Sequence, residues 1–92
     1  MKKSDIIKKL QNETDITKNE ATIAVETFFN EMANALSKDD RVEIRGLGSF
    51  HVRKYKAYTG RNPKTGEKVK IKPKKLPFFK CGKDLKDRVN QN

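Results

Sequence analysis

The sequence predicts one domain of the α+β class, with two helices first, a β-hairpin in the middle and a short helix last. Apolar residues between Thr17 and Leu36 recur at steps of three and four, which is typical of a helix with a wide apolar face. Residues 41–45 and 68–72 alternate charged and apolar side chains, as half-buried strands do. Between these strands, residues 60–66 contain two glycines and a proline, which indicates a turn.

The first two helices differ in the strength of their start signals. Ser4 is a candidate N-cap of the first helix, and Glu20 lies three residues after Thr17, which makes a capping box at the start of the second. One face of the first helix consists of Ile6, Ile7 and Leu10. The apolar face of the second consists of Ala21, Ala24, Val25, Phe28, Phe29, Met32, Ala35 and Leu36. This face is wider than the first helix can cover, so we expect part of it to contact a partner.

The strands and the last helix follow from local signals. Residues 46–48 form a glycine-rich turn, and Phe50 and Val52 share one face of the strand that follows it. Gly82 precedes a short helix that we expect over residues 83–89. The long basic segment between these parts has too few apolar residues to pack on a core, so it is predicted to project as an arm.

Positive charge is concentrated in the middle of the chain. The net charge is +10, and residues 53–75 hold ten Lys and Arg against one acidic residue. Residues 1–52, the helical body and first strands, hold eight basic and nine acidic residues, and residues 76–92, the closing strand and C-terminal helix, hold four and two. Such an arm suits the phosphates of nucleic acid, because a two-stranded ribbon fits a groove and each neutralised phosphate releases counterions.

Composition excludes several other classes of protein. The single cysteine, Cys81, cannot form a disulfide within the chain, and the single histidine, His51, leaves too few ligands for a zinc site. No pairing of a nucleophile with a base is visible, so we expect no enzyme, no cofactor and no metal. With 34% hydrophobic residues the core is small, and oligomerisation is the remaining means of stabilising it. The N-terminus has no apolar signal core, which favours the cytoplasm.

Several motifs together resemble the bacterial HU/IHF family of histone-like DNA-binding proteins, and HU more than IHF. The segment 60–66, GRNPKTG, is similar to the tip of the family's arm, and residues 46–50, GLGSF, to the turn before it. Phe79, Gly82-Lys83 and Leu85-Lys86-Asp87 resemble its closing segment. The resemblance covers the whole chain and implies an intertwined dimer, with a helical base, a small antiparallel sheet and one projecting two-stranded arm per subunit.

The resemblance also implies which residues bind DNA. Pro63 would insert between base pairs, Arg61 and Asn62 would lie in or beside the minor groove, and Arg53 would contact the backbone at the root of the arm. The predicted arm contacts are Arg53, Lys54, Lys56, Tyr58, Arg61, Asn62, Lys64, Lys68, Lys70, Lys72, Lys74 and Lys75. The predicted body contacts are Lys3, Lys83 and Lys86. The predicted dimer core contains Phe28, Phe29, Phe50 and Phe79.

The sequence departs from the common HU pattern in the arm. Tyr55 and Tyr58 stand where many HU proteins carry arginine, although Lys54 and Lys56 beside them keep the charge high. The tyrosines either pack along the sugar edges of the groove or stiffen the hairpin.

The predicted function is non-sequence-specific bending and compaction of double-stranded DNA in the bacterial nucleoid, by a homodimer or by a heterodimer with a paralogue. We expect a preference for deformable or A·T-rich DNA, because the arm carries few groups for base-specific hydrogen bonds. An IHF-like factor with a sequence preference and a basic RNA-binding protein are the alternatives. A membrane binder ranks last, because the charge lies on a hairpin and not on an amphipathic helix.

Overall fold

A computed structural model describes residues 1–91 and confirms the α+β class. The elements in chain order are α1 Lys3–Glu13, α2 Lys18–Ser37, β1 Val42–Ile44, β2 Gly48–Tyr55, β3 Tyr58–Arg61, β4 Lys68–Ile71, β5 Lys74–Cys81 and α3 Lys83–Val89. The last helix spans the predicted residues and follows Gly82, as expected.

The N-terminus of α1 differs from the prediction, because Ser4 lies inside the helix and does not cap it. The helix begins at Lys3, and the carboxylate of Asp5 accepts a hydrogen bond of 2.7 Å from the backbone N–H of Lys2. A carboxylate is favoured there, since it binds unpaired N–H groups and lies at the positive end of the helix dipole.

The capping box of α2 is confirmed. The hydroxyl of Thr17 accepts a hydrogen bond of 3.1 Å from the backbone N–H of Glu20, and the Glu20 carboxylate accepts one of 3.2 Å from the Thr17 N–H. Two free donors are thereby satisfied at the start of a helix of 20 residues. The helix holds Ala21 and Val25, which are the buried apolar side chains among residues 1–91.

The chain does not enclose a full core of its own. Its radius of gyration is 19.2 Å, whereas a compact domain of this length has about 12 Å. Phe28 and Phe29 on α2 are 51% and 40% exposed, and Phe79 on β5 is 43% exposed. An extended chain that leaves large aromatic side chains open agrees with the predicted intertwined dimer and with the predicted partner-facing side of α2.

The central sheet has the order β1–β2–β5 and is antiparallel throughout. A tight turn joins β1 to β2, in which the N–H of Leu47 donates to the carbonyl of Ile44 at 3.1 Å. The β2–β5 ladder is the longest, with eight pairs from Gly48 opposite Cys81 to Tyr55 opposite Lys74. This ladder continues out of the body and forms the root of the arm.

The arm consists of two ladders and not of one continuous ribbon. Beyond Tyr55 the pairing stops, and it resumes in a separate ladder between β3 and β4. The interruption falls at residues 56–57 on one side and 72–73 on the other. Pro73 accounts for one side of it, because proline has no N–H to donate to a ladder.

Gly48 provides a test of how closely the ladder packs. A Cβ atom at this position would lie 2.3 Å from the carbonyl oxygen of Lys80 and 2.8 Å from the ring of Phe79. We expect Gly48→Ala to lower the free energy of unfolding by about 3 kcal/mol, because the backbone oxygen cannot move aside without breaking the ladder. Urea denaturation at a fixed protein concentration measures this loss.

Gly46→Ala is the matched control. A Cβ at Gly46 meets nothing within 4 Å, and the only cost is its left-handed backbone, with φ of 84°. That cost is about 1 kcal/mol. Equal losses in the two variants would contradict the close approach at Gly48.

Candidate nucleic-acid interface

The β2–β5 ladder separates its side chains onto two faces, because residues directly opposite each other in an antiparallel pair point to the same side. One face, here called the basic face, carries Ser49, His51, Arg53 and Tyr55 from β2 and Lys74, Leu76, Phe78 and Lys80 from β5. The other face carries Phe50, Val52 and Lys54 from β2 and Lys75, Pro77 and Phe79 from β5. It contains the Phe50–Phe79 pair and is here called the helix-side face, since Lys54 and Lys75 reach the turn after α2.

The basic face forms an open cavity of about 590 Å³ whose lining contains no carboxylate. Arg41, Arg53 and Lys80 contribute three positive charges to it. The guanidinium of Arg53 lies 4.1 Å from the ring centroid of Phe78, which holds it by a cation–π contact. The guanidinium of Arg41 donates to the hydroxyl of Ser49 at 3.3 Å. Such a surface suits an extended polyanion, because Arg41 and Arg53 are held in place before any ligand arrives. The Arg41 guanidinium also lies 3.8 Å from a carboxylate oxygen of Glu43, which is outside the lining of the cavity.

Sequence reasoning missed three members of this cavity. Arg41, His51 and Lys80 were absent from the predicted contacts. His51 is half-buried and stacks near Phe78, with 6.2 Å between the ring centroids. The alternation of side chains along a strand could have identified His51, because it places His51 on the same face as Arg53. Placing Lys80 on this face requires the pairing register between β2 and β5. These strands are distant in sequence, and the local sequence pattern does not give their register.

The helix-side face holds two of the predicted arm contacts next to a carboxylate. Asp39, in the turn after α2, lies 3.2 Å from the ammonium of Lys54 and 3.0 Å from that of Lys75. Hydrogen bonds from Lys75 and then from Lys54 hold the pKa of Asp39 below its ordinary value. This ion-paired arrangement is therefore fully present above the ordinary pKa of an aspartate and is lost as the pH falls through the lowered one.

The distal ladder also has two different faces. Thr59, Arg61, Lys68 and Lys70 lie on one face, and Tyr58, Gly60, Val69 and Ile71 on the other. The predicted contacts Arg61, Lys68 and Lys70 therefore lie together. Tyr58 lies directly opposite Ile71, and its ring also covers Gly60, where a Cβ would be 3.7 Å from it. This placement favours the interpretation that Tyr58 stiffens the hairpin.

The tip of the arm is an ordered turn that presents Pro63. The N–H of Asn62 donates to the carbonyl of Glu67 at 2.8 Å, and the N–H of Gly66 donates to the carbonyl of Asn62 at 2.7 Å. The side-chain oxygen of Asn62 accepts from the N–H of Lys64 at 2.9 Å. Pro63 and Lys64 are exposed between these bonds. Asn62 thus shapes the turn, and its amide NH₂ group is left to contact a ligand.

The other predicted contacts lie in different surroundings. Lys56, Lys72 and Lys74 are exposed at or beside the interruption of the arm. Lys83 is the first residue of α3, and Lys86 lies on the same helix. The ammonium of Lys3, on α1, lies 3.5 Å from a carboxylate oxygen of Glu26, so this predicted body contact is already paired with an acid.

The four phenylalanines of the predicted dimer core form two pairs. Phe28 and Phe29 meet edge to face on α2, with 5.4 Å between ring centroids. Phe50 and Phe79 meet across the β2–β5 ladder at 4.8 Å. Both pairs keep much of their surface open in a single chain, which is the arrangement that a second chain would complete.

Comparison with known proteins shows which family shares this sequence and fold. The model of the family described as "Bacterial DNA-binding protein" matches residues 1–90. DNA-binding protein HU of Streptococcus mutans is 45% identical over 95% of this chain and 96% of its own length. The chain belongs to the bacterial HU family. DNA-binding protein HU of Staphylococcus aureus is 44% identical over 97% of this chain and 99% of its own.

Solved structures of HU share the fold. The Anabaena HU–DNA cocrystal structure has a TM-score of 0.84 and 33% identity, and the match covers all of both chains. HU from Thermotoga maritima has a TM-score of 0.66 and 26% identity over 97% of this chain and 98% of its own. Membership of the HU family, which is not a family of enzymes, confirms the prediction that the chain is not an enzyme. None of the helices within residues 1–91 is long and apolar enough to cross a membrane.

The Tyr58–Ile71 pair predicts how the free arm behaves. An aromatic and a β-branched side chain directly opposite each other contribute about 0.2–1 kcal/mol to a ladder. We expect Tyr58→Ala to open the distal ladder more often and to speed limited trypsin cleavage within the arm by up to about fivefold. Tyr58→Phe keeps the ring and should be cleaved like the wild type. If Tyr58→Ala is cleaved no faster, the ring does not stiffen the arm.

Proposed function

We propose that this HU-family chain works as a homodimer that binds double-stranded DNA without strict sequence preference, bends it and compacts it in the bacterial nucleoid. The observation that carries the proposal is an arm with ten Lys and Arg against one acidic residue and an exposed proline at its tip, next to a basic face whose cavity lining contains no carboxylate. The relative crystallised with DNA matches this chain from end to end, which supports the same ligand here.

Phosphate contacts supply most of the affinity in this proposal. Arg53 with Arg41 and Lys80 would hold the duplex over the sheet, and Arg61 with Lys68 and Lys70 would follow the groove along the arm. Log affinity should fall with log salt by about 0.9 for each phosphate neutralised on duplex DNA.

Pro63 acts as the wedge. It is exposed, its ring is rigid, and it brings no N–H that would be left unpaired between bases. Unstacking a base step costs a few kcal/mol, and smooth bending of a short site costs about 1–6 kcal/mol. These costs are offset only if the bent duplex reaches cations that a straight one cannot, and Lys83 and Lys86 on α3 are candidates for such contacts.

Weak sequence preference follows from the groups at the tip. Asn62 is the amide side chain beside Pro63, and its oxygen is engaged by the Lys64 N–H. Asn62 therefore offers base edges only its NH₂ group, and we expect the sequence dependence to come mainly from how easily the duplex deforms. This favours the HU-like function over an IHF-like one.

Dimerisation supplies both the missing core and the second arm. Phe28, Phe29 and Phe79 are too exposed in one chain to stabilise it, and burying them against a second copy removes apolar surface from water. Two arms would then hold one duplex from both sides.

Fluorescence energy transfer across an end-labelled duplex of about three helical turns tests the wedge. We expect the wild type to bring the DNA ends together, and Pro63→Ala to bind with similar affinity but to bend less, because the unstacking contact is lost. Lys64→Ala is the matched control in the same exposed turn, and it should bend like the wild type with a shallower salt dependence.

Binding by the wild type without any shortening of the end-to-end distance would contradict the bending function. Tighter binding to structured RNA than to duplex DNA would favour the RNA-binding alternative.

The basic face predicts a role for Lys80 that the sequence did not indicate. In Lys80→Ala we expect the slope of log affinity against log salt to become shallower by about 2 per dimer, because each subunit loses one phosphate contact. Lys9→Ala removes the same charge from α1, where Lys9 pairs with Glu13 at 2.8 Å, and should leave the slope unchanged. Identical slopes in both variants would exclude Lys80 from the interface.

A further inference from the structure

We propose that Asp39 is a positioning residue that sets the direction of the arm relative to the helical body by holding Lys54 and Lys75 at the arm's root. The inference rests on the proposed function for the dimer in which the arm tips are compared and for its consequence on DNA, but the direction of the free arm does not depend on DNA bending. Lys54, Lys75 and Asp39 are here called the root clamp.

The turn that carries Asp39 is itself firmly held. Asp39 has a left-handed backbone, with φ of 66°, and its N–H donates to the carbonyl of Leu36 at 3.0 Å. The N–H of Asp40 donates to the carbonyl of Ala35 at 2.9 Å. The carboxylate therefore projects from a fixed point at the end of α2, and its position is set by the helix.

The two lysines that it holds are direct partners in the β2–β5 ladder. Lys54 lies opposite Lys75, so their like charges are adjacent on one face and repel each other. The carboxylate of Asp39 lies within 3.2 Å of both ammonium groups and offsets this repulsion. Lys75 donates a further hydrogen bond of 3.1 Å to the carbonyl of Ser37, which ties the same strand to the end of α2.

The root clamp lies where a small rotation of the arm moves its tip by a large distance. The Lys54–Lys75 pair is the last but one of the ladder, and only Tyr55 and Lys74 pair beyond it before the arm is interrupted. From Lys54 to Pro63 the chain spans nine residues, or about 30 Å at strand rise. A rotation of about 10° at the root moves the tip by about 5 Å over that length.

The faces of the sheet separate this role from phosphate binding. Arg53 points to the basic face, whereas Lys54 and Lys75 point to the helix-side face and meet a carboxylate there. The cations nearest the root therefore divide between the two faces: Arg53 and Lys74 lie on the basic face, and Lys54 and Lys75 fix the ribbon on the other. All three clamp residues are partly exposed, so their ion pairs are weak individually, and direction rather than stability is what they control.

The first test measures the free protein. Lys64→Cys in a Cys81→Ser background places one spin label at each arm tip, and pulsed electron resonance gives the tip-to-tip distance distribution of the dimer. We expect Asp39→Asn to broaden this distribution clearly. Asparagine tolerates the left-handed backbone, so the substitution removes the charge without straining the turn.

Asp40→Asn is the matched control. It makes the same change of charge at the neighbouring position, and Asp40 takes part in none of the ion pairs found within residues 1–91. It should keep the wild-type distribution. A distribution that is unchanged in Asp39→Asn, or equally broadened in both variants, would overturn the proposal.

The second test measures DNA. Compared with Asp40→Asn, we expect Asp39→Asn to bring the ends of the labelled duplex less close and to bind pre-bent DNA up to about fivefold more weakly, with an unchanged salt slope. If Asp39→Asn instead binds more tightly with a steeper slope, Lys54 and Lys75 are phosphate ligands that Asp39 withholds, and the positioning role is wrong. A wild type that does not bend DNA refutes the proposed function, while the tip-to-tip result still decides the role of Asp39.

Discussion

The rest of the structure depends on the ladder between β2 and β5. Its eight pairs join the body to the arm, and its alternation decides which side chains face the ligand and which face the helices. Arg53 and Lys54 are neighbours in sequence, yet one lies over the ring of Phe78 and the other pairs with Asp39. A shift of the register by one residue would exchange these two surfaces, so the register determines the function.

The polar composition and the open shape of the chain have the same origin. An arm that holds ten Lys and Arg within residues 53–75 cannot contribute to a core, and the body is too small to compensate alone. The exposed side chains of Phe28, Phe29 and Phe79 show where burial is incomplete, and Phe50, which packs on Phe79, is half-buried. In the proposed dimer, association of the two chains and DNA binding are linked, because the same partition of apolar and basic residues leaves the core open and supplies the arms.

Rigidity differs between the segments of the arm, because different residues hold each segment. Asp39 fastens the root, the pairing lapses around Pro73, and Tyr58 opposite Ile71 stiffens the distal ladder below the ordered turn at Pro63. A ribbon with firm segments on either side of an interruption can follow a curved duplex while still presenting a rigid tip. In the proposed mechanism the wedge needs that rigidity, because the energy of unstacking would be supplied through Pro63.

The sequence by itself determined the order of the elements, the Thr17 capping box, the turn at 60–66 and the concentration of charge in the arm, because these depend on local propensity and period. It missed the Asp5 cap of α1, since Ser4 is an equally good local candidate. Only the tertiary structure decided that Lys80 joins Arg53 on the basic face and that Lys54 and Lys75 turn toward Asp39. These placements depend on strand register and on contacts between residues more than thirty positions apart, such as Asp39 and Lys75, and no local pattern encodes that separation.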